Sequence, residues 1–303
     1  MIDFSSITCV VHRNGKFPSE LALDSRQAAA LAINITLTAG LKMEKLFKKI
    51  KYLPELAKKY RILKHCNLLD DRLSASELEQ YLYTCSAVGT HRGYLRSLRE
   101  TMCVDREGNP LPWYTYPAIE QLAKWDFSEA EVFEFGCGNS TRWWAGRSKS
   151  VVSLEGSRVW YDKILSSNVL PDNTTPILVA IDGDEYSQAF GDYAEALNNF
   201  GQFDVIIVDG ESRFRTRYAC ANNALKHLRA GGLIILDNSD WHPESAKLLR
   251  DSGLLQIDFC GLGPLNTHAE TTSLFLDKFF SVKPVNDNEH PGQTIGGLKL
   301  TLG

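Results

Sequence analysis

The sequence has no run of about 18 consecutive apolar residues, so no membrane-spanning helix is expected. Its start, MIDFSSITCVVHRNGKF, lacks a charged lead into a long apolar core, and a secretory signal is not expected either. An excess of basic residues is also missing. Lys and Arg total 33 against 37 Asp and Glu, a formal net charge of -4, which is the wrong sign for a general nucleic-acid binder. The 7 cysteines include no C-x-x-C pair, which removes the zinc-ribbon and thioredoxin readings. An odd, dispersed set of this kind fits reduced thiols, most of them small core residues, in a cytoplasmic protein.

What is present is ordinary in bulk: 303 residues, 44% hydrophobic and 23% charged, enough for one large or two modest domains. Two rhythms divide the chain. Residues 1–110 show no strand-helix alternation and read as a helical N-terminal extension or cap, broken near Gly40 and Pro54. Within it, 42–64 is strongly basic. Peripheral contact with an anionic membrane is one reading of that stretch; a solvated helix face whose apolar positions pack inward is the other.

From about residue 111 to 303 the chain reads as an α/β domain. Five apolar runs (EVFEFG, SVVSLEG, TPILVAIDG, FDVIIVDG and GGLIILDN) alternate with helical stretches. Continuous runs rich in β-branched residues suit parallel strands buried on both faces, and five such units give a doubly wound sheet. Two further runs, LLQIDFCGLGP and TTSLFLDKFF, are joined by a loop too short for a helix crossover. They read as an antiparallel pair at the sheet edge. The expected fold is therefore a mostly parallel, seven-stranded, doubly wound sheet with an antiparallel C-terminal strand pair, preceded by a helical region.

The first run ends abruptly in Gly136-Cys137-Gly138-Asn139-Ser140. In an open parallel sheet, ligands sit beyond the carboxyl ends of the strands. Glycine there removes the Cβ that would block a ligand, and a helix starting near Thr141 points unpaired N–H groups at the same place. The loop is thus read as a cradle for an anionic group, with Asn139 or Ser140 capping the helix. Glu155 ends the second run about twenty residues later, where an acid accepts hydrogen bonds from a ribose diol. Asp182 ends the third run and is placed to accept from an exocyclic amine. Dinucleotide loops want a third glycine, and that place is Thr141. Glu134 would repel a pyrophosphate but attract an ammonium group. Adenosine, carboxylate and ammonium together describe S-adenosylmethionine.

Over residues 113–280 the chain resembles the class I S-adenosylmethionine-dependent methyltransferases. EFGCGNS, LEG and IDGD match the cofactor-binding segments, FDVIIVDG and AGGLIILDN match the fourth and fifth strands, and the final antiparallel pair separates this family from the nicotinamide-binding fold. The resemblance implies that Glu134, Gly136 and Gly138 hold the methionine part, Glu155 the ribose and Asp182 the adenine amine. Cys137, Asn139, Ser140, Gly156, Asp209 and Gly210 are counted with them as cofactor contacts.

For the chemistry, the ends of the fourth and fifth runs offer Asp209, Arg213, Arg215 and Arg217, then Asp237, Asn238, Asp240 and His242. His242 is the leading general base, Asp209 a second catalytic candidate, and Arg213 an anchor for an anionic substrate group. Asp209 with Asp237 and Asn238 resembles the oxygen-ligand set of the catechol-type, divalent-metal-dependent O-methyltransferases. Here, however, Gly210 follows Asp209, and Ser212 and Arg213 stand where that group tends to carry a lysine. A metal is kept as a candidate cofactor and assigned no site. Amino-methylating enzymes often carry an N/D-P-P-Y/F loop after the fourth strand, and this chain reads VDGES. With the acidic net charge, that favours methylation of oxygen on a small-molecule or glycan-like acceptor over nucleic acid. A nicotinamide-dependent oxidoreductase and a non-catalytic module with a vestigial cofactor fold are the alternatives.

Overall fold

A computed structural model describes residues 75–166, 170–181 and 187–285. Asp182 and the basic segment 42–64 lie outside the described residues. The chain divides into two compact units, Met1–Ser76 and Glu77–Gly303. Residues 77–110 therefore belong to the second unit.

Its elements, in order, are helices α1 (Ala75–Ser86), α2 (Tyr94–Glu100) and α3 (Tyr116–Leu122), then β1 (Glu131–Phe135), α4 (Asn139–Ala145), β2 (Ser150–Glu155), α5 (Arg158–Ser166) and β3 (Thr174–Leu178). There follow α6 (Gln188–Glu195), β4 (Phe203–Val208), α7 (Thr216–His227), β5 (Leu228–Leu236), α8 (Pro243–Asp251), β6 (Leu255–Gly261) and β7 (Glu270–Leu276). One seven-stranded sheet has the order β3-β2-β1-β4-β5-β7-β6. The first five strands are parallel, and β7 runs antiparallel to both β5 and β6. The expected fold class is the one observed. The final pair is arranged with β7 inside, between β5 and β6, leaving β6 at the edge.

Each strand sends alternate side chains to opposite faces. Phe133 and Phe135 of β1 join Leu154, Ile206, Val208 and Ile234 in one core, covered by Phe190 and Tyr193 of α6, Cys220 and Ala224 of α7, and Leu249 of α8. Val132 joins Val205, Ile207, Leu233 and Leu274 in the other, covered by Ile119 and Leu122 of α3 and by Trp143 and Trp144 of α4. Helices on both faces explain why the strands read as continuous apolar runs. Three of the described cysteines, Cys103, Cys137 and Cys220, are buried and two, Cys85 and Cys260, are exposed; all five are unpaired thiols.

The switch in strand order falls between β1 and β4, the point where open α/β sheets carry their ligands. Two glycines make the close approach there possible. Gly136 follows β1 with φ +113 and Gly210 follows β4 with φ +74. A Cβ on Gly210 would lie 2.8 Å from the Tyr193 hydroxyl and 3.2 Å from Gly136 Cα. Among the described residues no helix is long and apolar enough to cross a membrane.

Candidate functional site

Two clefts open over the carboxyl ends of the strands. The larger, about 620 Å³, runs from the Gly136–Ser140 loop to β7. The smaller, about 480 Å³, lies between the β2–α5 turn and the segment after β4, where Gly156, Ile181 and Arg213 line it. Glu155 and Gly210 line both, so the clefts meet there. Both volumes fall in the range of small-molecule sites.

The glycine loop is built on β1 and α4. Gly138 caps α4 with its backbone, and its N–H is accepted by the Thr141 hydroxyl at 3.0 Å. The expected capping by Asn139 or Ser140 is not what the loop does. Asn139 instead donates from Nδ2 to the Cys103 carbonyl at 2.7 Å, tying the loop to the segment before α3. A Cβ on Gly138 would meet nothing nearer than the Trp160 indole at 3.8 Å, so a side chain there would project into the larger cleft. The Trp160 indole N–H in turn donates to the Cys137 carbonyl at 2.5 Å. Several loop N–H groups are already used. Gly136 donates to the Leu154 carbonyl at 2.7 Å and Cys137 donates to Glu155 Oε2 at 3.1 Å. The anion cradle read from the sequence is therefore narrower than five free N–H groups would make it.

Glu134 shares its face of β1 with Val132, and the alternation turns it beneath the loop rather than toward the cleft. It is fully buried. Its Oε2 accepts from the Thr141 hydroxyl at 2.6 Å and from Ser153 Oγ at 3.3 Å, while its Oε1 is buried with no partner. Burial raises its pKa to about 8, against the opposing pull of the Ser140, Thr141 and Ser153 hydroxyls. Glu155 ends β2 on the cleft side. Its carboxylate accepts the Ser157 N–H at 2.7 Å besides that of Cys137, and burial raises its pKa in spite of these bonds.

Beyond the loop, one hydrogen-bonded chain crosses the strand ends. The indole N–H of Trp113 donates to Asn266 Oδ1 at 2.7 Å, and Asn266 Nδ2 donates to Glu270 Oε1. Glu270 Oε2 accepts from Asn238 Nδ2 at 2.7 Å, and Asn238 Oδ1 accepts from Arg217 at 3.3 Å. Arg217 ends the chain on Asp209 Oδ1 at 2.9 Å. All six residues line the larger cleft. Glu270 is buried, and desolvation, with Asp240 and Asp209 adding like charge, raises its pKa to about 7. Trp113 is 50% exposed and pinned by its N–H, so its ring is a fixed apolar shelf at the cleft edge.

The structure brings Asp209 and Gly210 to the meeting of the clefts and Gly156 to the smaller one. Arg213 lines the smaller cleft, where it pairs with Glu211 at 2.8 Å and its guanidinium lies over the Phe190 ring. His242 caps α8 and lines neither cleft; its Nε2 is buried without a partner, and burial, with Arg217 adding like charge, lowers its pKa to about 4. Arg217, the last of the three arginines offered after the fourth run, stands on the cleft wall, and so does Glu270, which no motif in the sequence marks.

The metal reading does not fit these residues. Arg217 lies against the three expected ligands, and Asp237 turns its Oδ1 to the Thr272 hydroxyl at 2.7 Å. Among the described residues no His, Cys, Asp or Glu trio comes together as a metal cluster.

Residues 133–239 match a protein-family model described as a methyltransferase domain. Over this stretch the chain carries a methyltransferase domain. Solved structures similar to this methyltransferase include the precorrin-6y C5,15-methyltransferase of Geobacter metallireducens, 13% identical, with 53% of this chain and 87% of that one covered at a TM-score of 0.40. The O-methyltransferase TomG of Streptomyces achromogenes, solved with SAM, is 14% identical over 63% of this chain and 89% of that one, with a TM-score of 0.41. The N-methyltransferase NodS of Bradyrhizobium japonicum is 12% identical over 62% of this chain and 93% of that one, with a TM-score of 0.35. Comparison with curated proteins finds no match.

Proposed function

We propose that this methyltransferase moves a methyl group from S-adenosylmethionine to a hydroxyl oxygen of a small-molecule or glycan-like acceptor. The observation that carries the reading is the meeting of two clefts at Glu155 and Gly210. In this reading the smaller cleft takes the nucleoside, with Glu155 receiving the ribose hydroxyls. The amino-acid tail lies along Gly136 to Ser140, and Asp182 remains the expected partner of the adenine amine. The residues fit such a group: Gly138 leaves open a path that any side chain would enter, and the Glu155 carboxylate stands where the two clefts meet. When bound, S-adenosylmethionine supplies a methyl carbon on a good leaving group.

The protein's own work is then to hold the acceptor oxygen in line, exclude water and receive a proton. Positioning of this kind can supply about 7–11 kcal/mol of the barrier. The acceptor lies in the larger cleft beyond the loop, its ring on the Trp113 shelf. Glu270 is the base in this reading, in place of His242. A carboxyl group whose pKa is raised to about 7 both holds a useful ionised fraction at neutral pH and has real affinity for a proton. The amides of Asn238 and Asn266 fix its orientation and leave it spare lone pairs toward the cleft.

Calorimetric titration with S-adenosylhomocysteine, NAD and NADP tests the cofactor assignment. The expected result is saturable binding of S-adenosylhomocysteine alone, with a rise in melting temperature. Binding of a nicotinamide cofactor instead would overturn it. Transfer of labelled methyl to hydroxyl-bearing and amine-bearing panels then separates oxygen from nitrogen as the acceptor.

A further inference from the structure

At the ends of β4 and β5 the chain presents four oxygen atoms to one guanidinium. Arg217 Nη2 donates to Asp209 Oδ1 at 2.9 Å and to the Gly210 carbonyl at 3.1 Å. Its Nη1 donates to the Asp237 carbonyl at 2.6 Å and to Asn238 Oδ1 at 3.3 Å. One carboxylate, two backbone carbonyls and one amide form the mixed oxygen set that hard divalent cations take. Only one of these oxygens belongs to an acidic side chain.

Three observations mark this as a seat built for positive charge. Arg217 is only 4% exposed, so its charge is held out of water. Its Nε is buried with no partner, although a guanidinium offers five N–H donors in a fixed fork. The four Nη–H donors each meet one of these oxygens, and Nε alone is left over. Finally, Asn238 sits at φ +51, in the left-handed region that asparagine enters more readily than most residues. That conformation turns Oδ1 to Arg217 while Nδ2 reaches Glu270.

We propose that Arg217 is a built-in cation occupying a hard-oxygen site at the β4–β5 strand ends, so that the native chain takes no divalent metal there, and that removing its charge converts the same four oxygens into a site for Ca²⁺ or Mg²⁺. Arg217 is a positioning residue in this account. It ties the turn after β4 to the turn after β5 and through Asn238 sets the aim of Glu270. The proposal goes beyond methyl transfer and does not depend on it, because its test uses only the protein and metal salts.

The experiment compares wild type, Arg217→Lys and Arg217→Met. Each is melted in chelator, in a few millimolar CaCl₂ or MgCl₂, and in NaCl of matched ionic strength, and each is titrated with Mn²⁺ by electron paramagnetic resonance. Wild type and the lysine variant are expected to melt alike in chelator and in divalent salt, and to leave Mn²⁺ free. The methionine variant is expected to melt lower in chelator, to regain most of that loss in Ca²⁺ but not in NaCl, and to bind a single Mn²⁺. Tight Mn²⁺ binding by wild type that Asp209→Asn abolishes would overturn the proposal. So would a folded methionine variant indifferent to divalent ions. A methionine variant that folds in neither buffer counts against it equally, because the oxygens then fail to accept a metal in place of the guanidinium.

Discussion

The Thr141 hydroxyl lies 2.6 Å from Glu134 Oε2 and accepts the Gly138 N–H at 3.0 Å, joining the floor of the glycine loop to its rim. Thr141 thus occupies the place of a third glycine and uses its side chain as a strut. Thr141→Val keeps the shape but strips a fully buried carboxyl group of its nearest partner and leaves the Gly138 N–H unmatched. Unmet buried groups cost about 1–3 kcal/mol each. Urea unfolding should report a loss of that order, and an unchanged midpoint would show the strut to be dispensable.

Glu134 carries a pH signature. Its folded pKa, raised to about 8, lies above the unfolded value near 4.3, so between those values the folded state holds a proton that the unfolded state has released. Its contribution to stability is complete below the unfolded pKa and is lost as pH rises through the folded one. Glu134→Gln removes the titration. The stability of the variant relative to wild type should therefore grow between about pH 5 and pH 8, by up to roughly 1 kcal/mol per pH unit, and then level off. Denaturant curves across that range, without ligand, measure it, and a flat difference would mean that Glu134 is ionised throughout.

Gly138 and Gly210 should fail differently. Gly138→Val adds a side chain where the protein itself has room, so the fold should survive while S-adenosylhomocysteine binding is lost. Gly210→Ala forces a Cβ to within 2.8 Å of the Tyr193 hydroxyl at φ +74, so its loss should be of stability, about 1–3 kcal/mol. Melting curves read beside binding isotherms separate the two. Tight binding by the valine variant would show that the ligand avoids the loop.

Glu155→Ala should weaken S-adenosylhomocysteine by about 1.5–3 kcal/mol for each lost charge-assisted bond, roughly 10- to 150-fold in Kd. The same variant removes the acceptor of the Cys137 and Ser157 N–H groups, so Glu155→Gln serves as the control. It keeps acceptor oxygen in place and should retain part of the affinity.

With any hydroxyl acceptor that turns over, the rate should rise with pH through a pKa near 7 as Glu270 ionises. Glu270→Gln should lower kcat by about 10²–10⁴-fold with little change in KM and erase that limb. A limb that survives in the variant belongs to another group.

Much of this architecture is legible in the chain because it is written locally. The apolar runs end at strand ends, and the Gly136-to-Ser140 break marks the crossing point of the sheet. The orientation of Glu134 is also written there, in the two-residue period that pairs it with Val132. Arg213, Arg215 and Arg217 look alike in sequence. Only the irregular turn at Phe214 and Arg215, both with positive φ, decides that Arg217 points to the strand ends. His242 reads as a base because it follows a strand end, yet burial behind the cleft wall is not a local property. Glu270 could not be ranked from sequence at all. It reaches the site through the insertion of β7 between β5 and β6, and nothing in ETTSLFL distinguishes an inner strand from an edge strand.

That insertion has a temporal consequence. The ribosome delivers the glycine loop long before β7, so the wall bearing Glu270 and Asn266 is the last part of the larger cleft to exist. At about 5–20 residues per second the interval is on the order of ten seconds. During it, β5 waits with an unpaired margin that only the antiparallel strand can close. A nascent chain at that stage could clasp a nucleoside yet have no vestibule for the molecule to be modified.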